Sequence, residues 1–346
     1  MSNKPLVSII IYNYNYGRFL RECFDSVLNQ HYSNIEILFS DNASTDDSWE
    51  IACSYSHRFP DKISLARNHV NFGAKANLNN CMPNIRGKYF IMLGSDDVLH
   101  TSYIETAVKH LECNLDAGYL IAHRSIINHE GKMLEDAPFY NDSFLIPAPK
   151  QAVVNMMASI NPTVSQIVYR NSFVNQILSS GAGIRFQGIR IIDFELACKH
   201  AVIYIHHPLV FHRVHHQNDA NYTTENLMDV LSAYVMNFDF VEHANGMGIN
   251  DISEKLPASI QKNAHNCLRY SVHFLRLKNF ILAKRYHYLA YALFPDIENE
   301  ELFKEINQLW SDQTNNACLE KIILENPLLL RKHSYAPPEG SVNINA

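Results

Sequence analysis

No apolar run in these 346 residues approaches the ~18 residues needed to cross a bilayer, so the sequence carries no transmembrane segment. The chain reaches an apolar strand by Leu6 without a basic region, a long apolar stretch and a small-residue cleavage site in that order. The expectation is a cytoplasmic protein, working free or at the inner face of a membrane. Cysteine pairing is also missing: Cys23, Cys53, Cys81, Cys113, Cys198, Cys267 and Cys318 are odd in number, scattered and free of C-x-x-C spacing. That pattern excludes a disulfide frame and a structural zinc site, and leaves reduced core thiols. Lys and Arg number 29 against 35 Asp and Glu, a net charge of -6, with no dense basic block. A general nucleic-acid binder is thereby excluded, although a local basic patch is not. Glycine is sparse as well, since Tyr12 to Gly17 supplies one glycine and no lysine, too little for a triphosphate-cradling loop.

What is present is an ordinary globular composition, 47% hydrophobic and 18% charged, long enough for two domains or one large α/β domain with an appendage. The 18 histidines are many for this length. Neighbours such as His206-His207 and His215-His216 point to opposite faces if they lie on strands, so most are expected to be packing or surface residues.

Val7 to Ile11 reads as a strand, Tyr12 to Gly17 as a loop, and Phe19 to Gln30 as a helix with Leu20, Cys23, Phe24, Val27 and Leu28 at helical spacing. Ile35 to Phe39 is the next strand, and Ser44-Thr45-Asp46-Asp47 offers N-caps to a helix carrying Trp49, Ile51 and Ala52. Strand Ile63 to Arg67, helix Ala74 to Cys81 and strand Lys88 to Leu93 continue the alternation, which predicts a parallel, doubly wound sheet. Helix Tyr103 to Leu111, strand Gly118 to His123, a hairpin at Asn128 to Gly131 and a helix near Val153 to Ile160 follow. Then come strand Thr163 to Tyr169, helix Ser172 to Leu178, a loop holding Gly181, Gly183 and Gly188, a helix starting near Asp193, and strands from Val202 to Arg213 broken by Pro208. Beyond about Thr223 helical patterns dominate. Ala264, Leu268, Tyr270, Leu275, Phe280, Ala283, Tyr288, Ala290 and Pro295 resemble one tetratricopeptide-like hairpin, which cannot stack on itself and must pack on its neighbours or a partner.

The most informative local feature is that two strands run into acids at their carboxyl ends: Ile35 to Phe39 into Ser40-Asp41-Asn42, and Tyr89 to Leu93 into Gly94-Ser95-Asp96-Asp97. In a parallel sheet those ends converge on the ligand crevice, where carboxylates can meet a ribose or a phosphate-bound cation.

These residues, with Val7 to Asn15, Ala43 to Asp46, Asn71-Phe72-Gly73, Asn77 and Gly87 to Ile91, resemble the family 2 glycosyltransferases of GT-A fold. The order and spacing agree throughout the first hundred residues and thin to scattered matches between Thr163 and Asn221. The resemblance implies transfer of a sugar from a nucleotide diphosphate sugar, a UDP-sugar first, to an acceptor hydroxyl with inversion, assisted by Mn²⁺ or Mg²⁺. It implies a donor site of Tyr12, Asn13, Tyr14, Asn15, Asp41, Asn42, Asn71, Gly73, Asn77, Ser95 and Asp96. Asp96 matches the metal ligand, but Gly94 stands where the family's acidic triplet has its first acid. Phe211 to His215 matches a late strand ending in Arg-x-His, giving His215 as a further metal ligand and Arg213 as a cation facing either diphosphate or solvent. Asp193 matches the catalytic base of a Glu-Asp pair at a helix start, with Ile192 in place of the Glu and Glu195 facing elsewhere. Read without the family, Asp193 caps that helix and Asp46 caps its own. Arg67 and Lys75 are either phosphate contacts or solvated cations.

The expected organisation is a GT-A catalytic domain at 1–222, with a nucleotide half to 100 and an acceptor half from 101, a helical region at 223–336 and a flexible tail at 337–346. No Gln-x-x-Arg-Trp follows Asp193, so a non-processive enzyme is expected, acting on a glycan or lipid-linked glycan of a bacterial surface polysaccharide such as O-antigen or capsule. The helical region offers a face for a homo-oligomer or for peripheral membrane contact. The alternatives are a catalytically decayed GT-A protein that binds or scaffolds glycans, for which Gly94 and Ile192 argue, and a sugar nucleotidyltransferase, which the loop at Tyr12 to Gly17 disfavours.

Overall fold

The computed structural model describes residues 4–134, 136–158, 162–179, 188–215, 219–311, 316–326 and 333–345. β1 (Val7–Asn13), α1 (Gly17–Leu28), β2 (Ile35–Asp41), α2 (Ser48–Arg58), β3 (Ile63–Arg67), α3 (Ala74–Asn79) and β4 (Tyr89–Gly94) give the expected alternation. β5 (Val98–Leu99), α4 (Tyr103–Cys113), β6 (Ala117–Ile127), β7 (Met133–Leu134), β8 (Phe144–Ile146) and α5 (Lys150–Ala158) follow. β9 (Ile167–Arg170), α6 (Asn171–Ser179), α7 (Gly188–Lys199) and β10 (Ala201–Arg213) complete the α/β part. The rest comprises α8 (Asp219–Glu225), α9 (Met228–Gly246), α10 (Leu256–Arg276), α11 (Phe280–Leu293), α12 (Glu301–Ser311), α13 (Asn316–Glu325) and β11 (Val342–Asn343).

The strands form one sheet in the order β11-β8-β10-β6-β9-β4-β1-β2-β3, with β5 paired to β10 and β7 to β6. β3, β2, β1 and β4 are mutually parallel, whereas β9 runs antiparallel between β4 and β6. The sheet is thus mixed and mostly parallel at the half that carries the acids. Its central strands are mostly apolar because both faces are covered, and the buried exceptions Ser8 and Glu36 pair across β1 and β2, Ser8 Oγ donating to Glu36 Oε1 at 2.6 Å. Ile9 and Ile11 join one core with Phe24, Ile51 and Ile104, while Ile10, Leu38, Phe90 and Met92 join the other with Ile192 and Phe194.

Several expectations shift. The strand expected at Thr163 to Tyr169 starts as a 3-10 turn, Val164–Gln166, closed by reciprocal bonds between Thr163 and Gln166, before β9 begins. β10 runs through Pro208 as one strand, because register shifts on either side of Pro208 absorb its missing N–H. α7 begins at Gly188, so Asp193 lies inside the helix and neither starts nor caps it. Gly181, Gly183 and Ile160 lie outside the described residues.

The expected boundary at residue 222 does not divide two cores. Phe240 of α9 stacks on Phe194 of α7 with ring centroids 4.1 Å apart, and Phe240, Ala244 and Ile252 belong to the sheet's second core. The third core, with Leu268, Ala283, Tyr286 and Ile306, forms around the α10–α11 hairpin. The tail expected to be flexible is instead tied down: β11 pairs antiparallel with β8, and the Asn343 and Asn345 amides donate to the Asp142 carboxylate. Without β11, β8 would present an unpaired sheet edge.

Candidate active site

Strand register assembles the crevice. Asn13 of β1 lies opposite Asp41 of β2, and Tyr12 lies opposite Gly94 of β4, so the three acid- and amide-bearing ends come together on adjacent parallel strands. Asp41 is fully buried. Its Oδ1 accepts from Asn13 Nδ2 at 3.0 Å and Ser44 Oγ at 2.5 Å, and its Oδ2 accepts from Ser44 N at 2.9 Å with Arg67 Nε 3.3 Å away. Asp41 is therefore the organiser of the loop, and Arg67, which also donates to Ser44 O, is its counter-charge. Two buried polar atoms here, Asn13 Oδ1 and Ser95 Oγ, have no hydrogen-bond partner among the described residues. Burying such atoms unpaired is costly, and a ligand with N–H or O–H donors would satisfy them.

An amide network surrounds this centre. Asn42 donates to Asn71 Oδ1 at 2.6 Å and accepts from Asn68 Nδ2 and Phe72 N; Asn77 donates to Asn13 O and accepts from Ser40 Oγ; Asn80 joins Ser40 to Asn68. Asn42, Asn71 and Asn77 thus fix the loop before α3 to the strand ends. Gly73 has a φ of 85° with open space where a Cβ would stand, so backbone conformation alone requires glycine there. Asn15 (φ 59°) accepts from Thr45 N, Tyr12 is half-buried, and Tyr14 is 42% exposed at the crevice loop. Asp46 accepts from Gly17 N at 2.9 Å and Ser48 N at 3.1 Å, capping two helices at once. A Cβ on Gly17 would stand 2.2 Å from Asp47 Oδ1 and 3.2 Å from Ser48 N, so a larger residue there would push the exposed Asp47 side chain aside.

The acids after β4 divide their work. Asp97 is buried and accepts from Ser165 Oγ at 2.6 Å, His212 Nδ1 at 3.0 Å and Arg213 N at 3.0 Å. Burial would raise its pKa, yet the His212 charge and these bonds hold it below the usual carboxylate range. Asp96 points the other way. Its Oδ2 lies 3.2 Å from His215 Nε2, so the two metal candidates meet although 119 residues separate them. Burial pushes its pKa up, partly offset by the His215 hydrogen bond. Pairing of β5 with β10 delivers this contact by laying Val98 beside Phe211.

His215 is gripped by Tyr16 and Phe19, with ring centroids 5.3 and 4.9 Å away, and its Nδ1 lies 3.2 Å from Arg18 Nη2. A guanidinium only donates, so Nδ1 accepts and Nε2–H faces Asp96. Carboxylate and imidazole 3.2 Å apart suit two adjacent corners of an octahedron, whose edge is about 3 Å for bonds of about 2.1 Å. Among the described residues no third His, Cys, Asp or Glu completes a cluster, so the other corners would fall to ligand oxygens and water.

Arg213 is not a solvated cation. It is 2% exposed, donates to Asp96 O, Asn128 O and Glu22 Oε2, and lies over the Phe19 ring. Gly94 explains the altered triplet: a Cβ there would stand 3.0 Å from Asp96 Oδ1 and 3.3 Å from Asp97 Oδ2. Restoring the acid by Gly94→Asp is expected to destabilise the metal-free fold by about 1–3 kcal/mol through crowding and like charge, and to regain melting temperature with Mn²⁺. An unchanged metal-free melting temperature would reject this account.

Asp193 is also buried, 4% exposed. Its Oδ1 accepts from Tyr169 OH at 2.6 Å and its Oδ2 from Arg190 Nη1 at 2.9 Å. Burial raises its pKa, against the lowering by Arg190 and Tyr169. Glu195, two residues on, bonds Lys199 and His243 and so ties α7 to α9.

Ser44, Asn68, Asn80, Ser165 and Arg18 were not among the site residues expected from the sequence. Ser44 sat inside a quoted motif, whereas Ser165 and Arg18 reach the site only through the chain's tertiary path.

The model of the family described as glycosyl transferase family 2 matches residues 8–161. An uncharacterised glycosyltransferase of Rickettsia typhi is 30% identical over 236 residues, covering 66% of this chain and 69% of that protein. The putative glycosyltransferase EpsE of Bacillus subtilis is 37% identical over 112 residues, where the match spans 32% of this chain and only 40% of EpsE. Two solved structures share the fold at 13% identity. S. aureus TarS in complex with UDP-GlcNAc has a TM-score of 0.51, covering 81% of this chain and 90% of that one. The mannosyltransferase PcManGT of Pyrobaculum calidifontis, in complex with GDP-Man and Mn²⁺, has a TM-score of 0.53, covering 94% and 88%. With its acids and amides gathered at the strand ends of this GT-A sheet, the chain belongs to the family 2 glycosyltransferases.

Proposed function

We propose that the protein transfers a sugar, with inversion, from a nucleotide diphosphate sugar to the hydroxyl of a glycan or lipid-linked glycan, in the making of a bacterial surface polysaccharide. The observation that carries the reading is the meeting of Asp96 and His215 beside the unpartnered Asn13 Oδ1 and Ser95 Oγ. Nucleotide sugars in the TarS and PcManGT structures, and Mn²⁺ in the latter, support the donor class and a divalent ion.

In this reading Asn13 and Ser95 receive base and ribose donors, with Tyr12, Tyr14 and Asn15 walling the base. Asp96 and His215 would hold Mn²⁺ or Mg²⁺, which when bound neutralises charge on the departing diphosphate. Holding it through Nε2 requires that nitrogen to give up its proton, and with it the hydrogen bond to Asp96. The exposed Arg18, now bonded to His215 Nδ1, would supply a cation for phosphate oxygens. Asp193 takes the proton of the acceptor hydroxyl, while Tyr169 and Arg190 hold its carboxylate in one orientation, each leaving a lone pair on the oxygen it binds. Inversion follows from attack opposite the leaving diphosphate.

The test is a panel of UDP-, GDP- and dTDP-sugars, assayed for binding and slow hydrolysis with Mn²⁺, Mg²⁺ or chelator. One donor is expected to bind and hydrolyse only with metal, and Asp96→Ala is expected to weaken its binding by about 10–100-fold or more. Equal affinity with and without chelator would remove the metal role, and tight binding with no turnover on any acceptor would favour the decayed-site alternative.

A further inference from the structure

From residue 255 to residue 295 the sequence holds four lysines and three arginines and neither aspartate nor glutamate, in a chain whose net charge is -6. This stretch is the α10–α11 hairpin. Leu282, Ala283, Tyr286 and Ala290 of α11 turn into the third core. The opposite face carries Ile281, Arg285 and Tyr288 at helical spacing, and the hairpin tip adds Leu277 and Lys278. Leu277 is 60% exposed, Ile281 70% and Tyr288 51%, so large apolar side chains and cations share one solvent-facing stripe.

We infer that this stripe docks the protein on an anionic lipid surface. Exposed Leu or Ile is unremarked singly, but here the two most exposed apolar residues of the hairpin sit at its tip between cations. Lys and Arg keep their heads at the phosphate level while their stems follow Leu277 and Ile281 toward the acyl boundary, and tyrosine suits the interface between them. Phosphate contact alone, as on nucleic acid, gives no use to Leu277 and Ile281. A second copy meeting this face with its own would oppose like charges. The acids that follow, Asp296 and Glu298, lie beyond the far end of α11 from the tip.

The experiment is flotation of the full chain with phosphatidylcholine vesicles, with and without phosphatidylglycerol, at rising salt. Wild type is expected to partition to the anionic vesicles and to lose that partition with salt. The double variant Lys278→Glu, Arg285→Glu should lower it by at least about 25-fold, from about fivefold per cation, the ratio equivalent to about 1 kcal/mol each. Ile281→Ser should lower it while keeping the salt dependence. All three side chains are exposed, so melting temperature and donor binding should stay at wild-type values, which separates lost docking from unfolding. The same partition on neutral vesicles, or none on either, would overturn the inference. So would a lipid-free dimer that these substitutions dissolve, which would make the stripe a contact between copies. Because partition is read without donor, its failure leaves the transferase reading standing, and the reverse.

Discussion

Replacing Asp193 with Asn is expected to lower kcat by about 10²–10⁴-fold, the range a positioned general base supplies, with donor affinity nearly unchanged. A base acts on the chemical step, so its loss appears in kcat more than in ground-state binding. The amide introduced by Asp193→Asn keeps an oxygen for the Tyr169 hydroxyl, which preserves much of the local geometry. The pH profile gives a second reading of the same residue. Burial raises the Asp193 pKa above the ordinary 3.8, and the base works only when ionised, so the acid limb of kcat/KM should lie above the usual carboxylate range. Arg190 pulls that pKa down, hence Arg190→Ala should move the limb to higher pH. The sign for stability is opposite to that of a salt-bridged surface acid. A raised folded pKa means the group's contribution is full below its unfolded pKa and is lost as pH rises through the folded one. Turnover by Asp193→Asn at the wild-type rate would reject the base assignment outright.

The second large effect concerns stability. Arg213→Ala is expected to cost about 2–6 kcal/mol in denaturant unfolding, about 1–3 kcal/mol for each of the two carbonyl oxygens left without its donor. It would strip donors from Asp96 O and Asn128 O and leave a void over Phe19. Glu22 is the partner that suffers least, since its side chain is 57% exposed and can return to water. Arg213→Lys should recover only part of the loss, because an ammonium cannot reach three acceptors from the place of a planar fork. Since Arg213 fastens the backbone of Asp96 and precedes His215 by two residues, metal-dependent donor binding should fall with stability. A loss below about 1 kcal/mol, the worth of an ordinary hydrogen bond, would show that Arg213 is not the clamp described.

The parallel half of the sheet was legible because its signal is local. Val7 to Ile11, Ile35 to Phe39 and Tyr89 to Leu93 are short β-branched and aromatic runs, each followed by turn residues and a helical period, and parallel connection leaves few ways to assemble them. The acids at their ends were legible for the same reason: strand polarity alone brings Asp41 and Asp96 to one edge. Capping of α1 by Asp46, 29 residues beyond Gly17, was not, and neither was the start of α7, where no change of periodicity announces the five residues before Asp193.

By itself, then, the sequence determined the fold class, the crevice and the residue types that line it, because hydrophobic period and strand polarity are written in consecutive residues. Only the tertiary structure decided which of those residues remain open to a ligand. It committed Asp41, Asp97 and Arg213 to one another's neighbours, left Asn13 Oδ1 and Ser95 Oγ unpaired, and brought His215 to Asp96. It also stitched the tail to β8 and carried the second core past residue 222. The physical reason is one: a buried polar group must find a partner, and where that partner comes from is fixed by packing across long stretches of chain rather than by spacing along it.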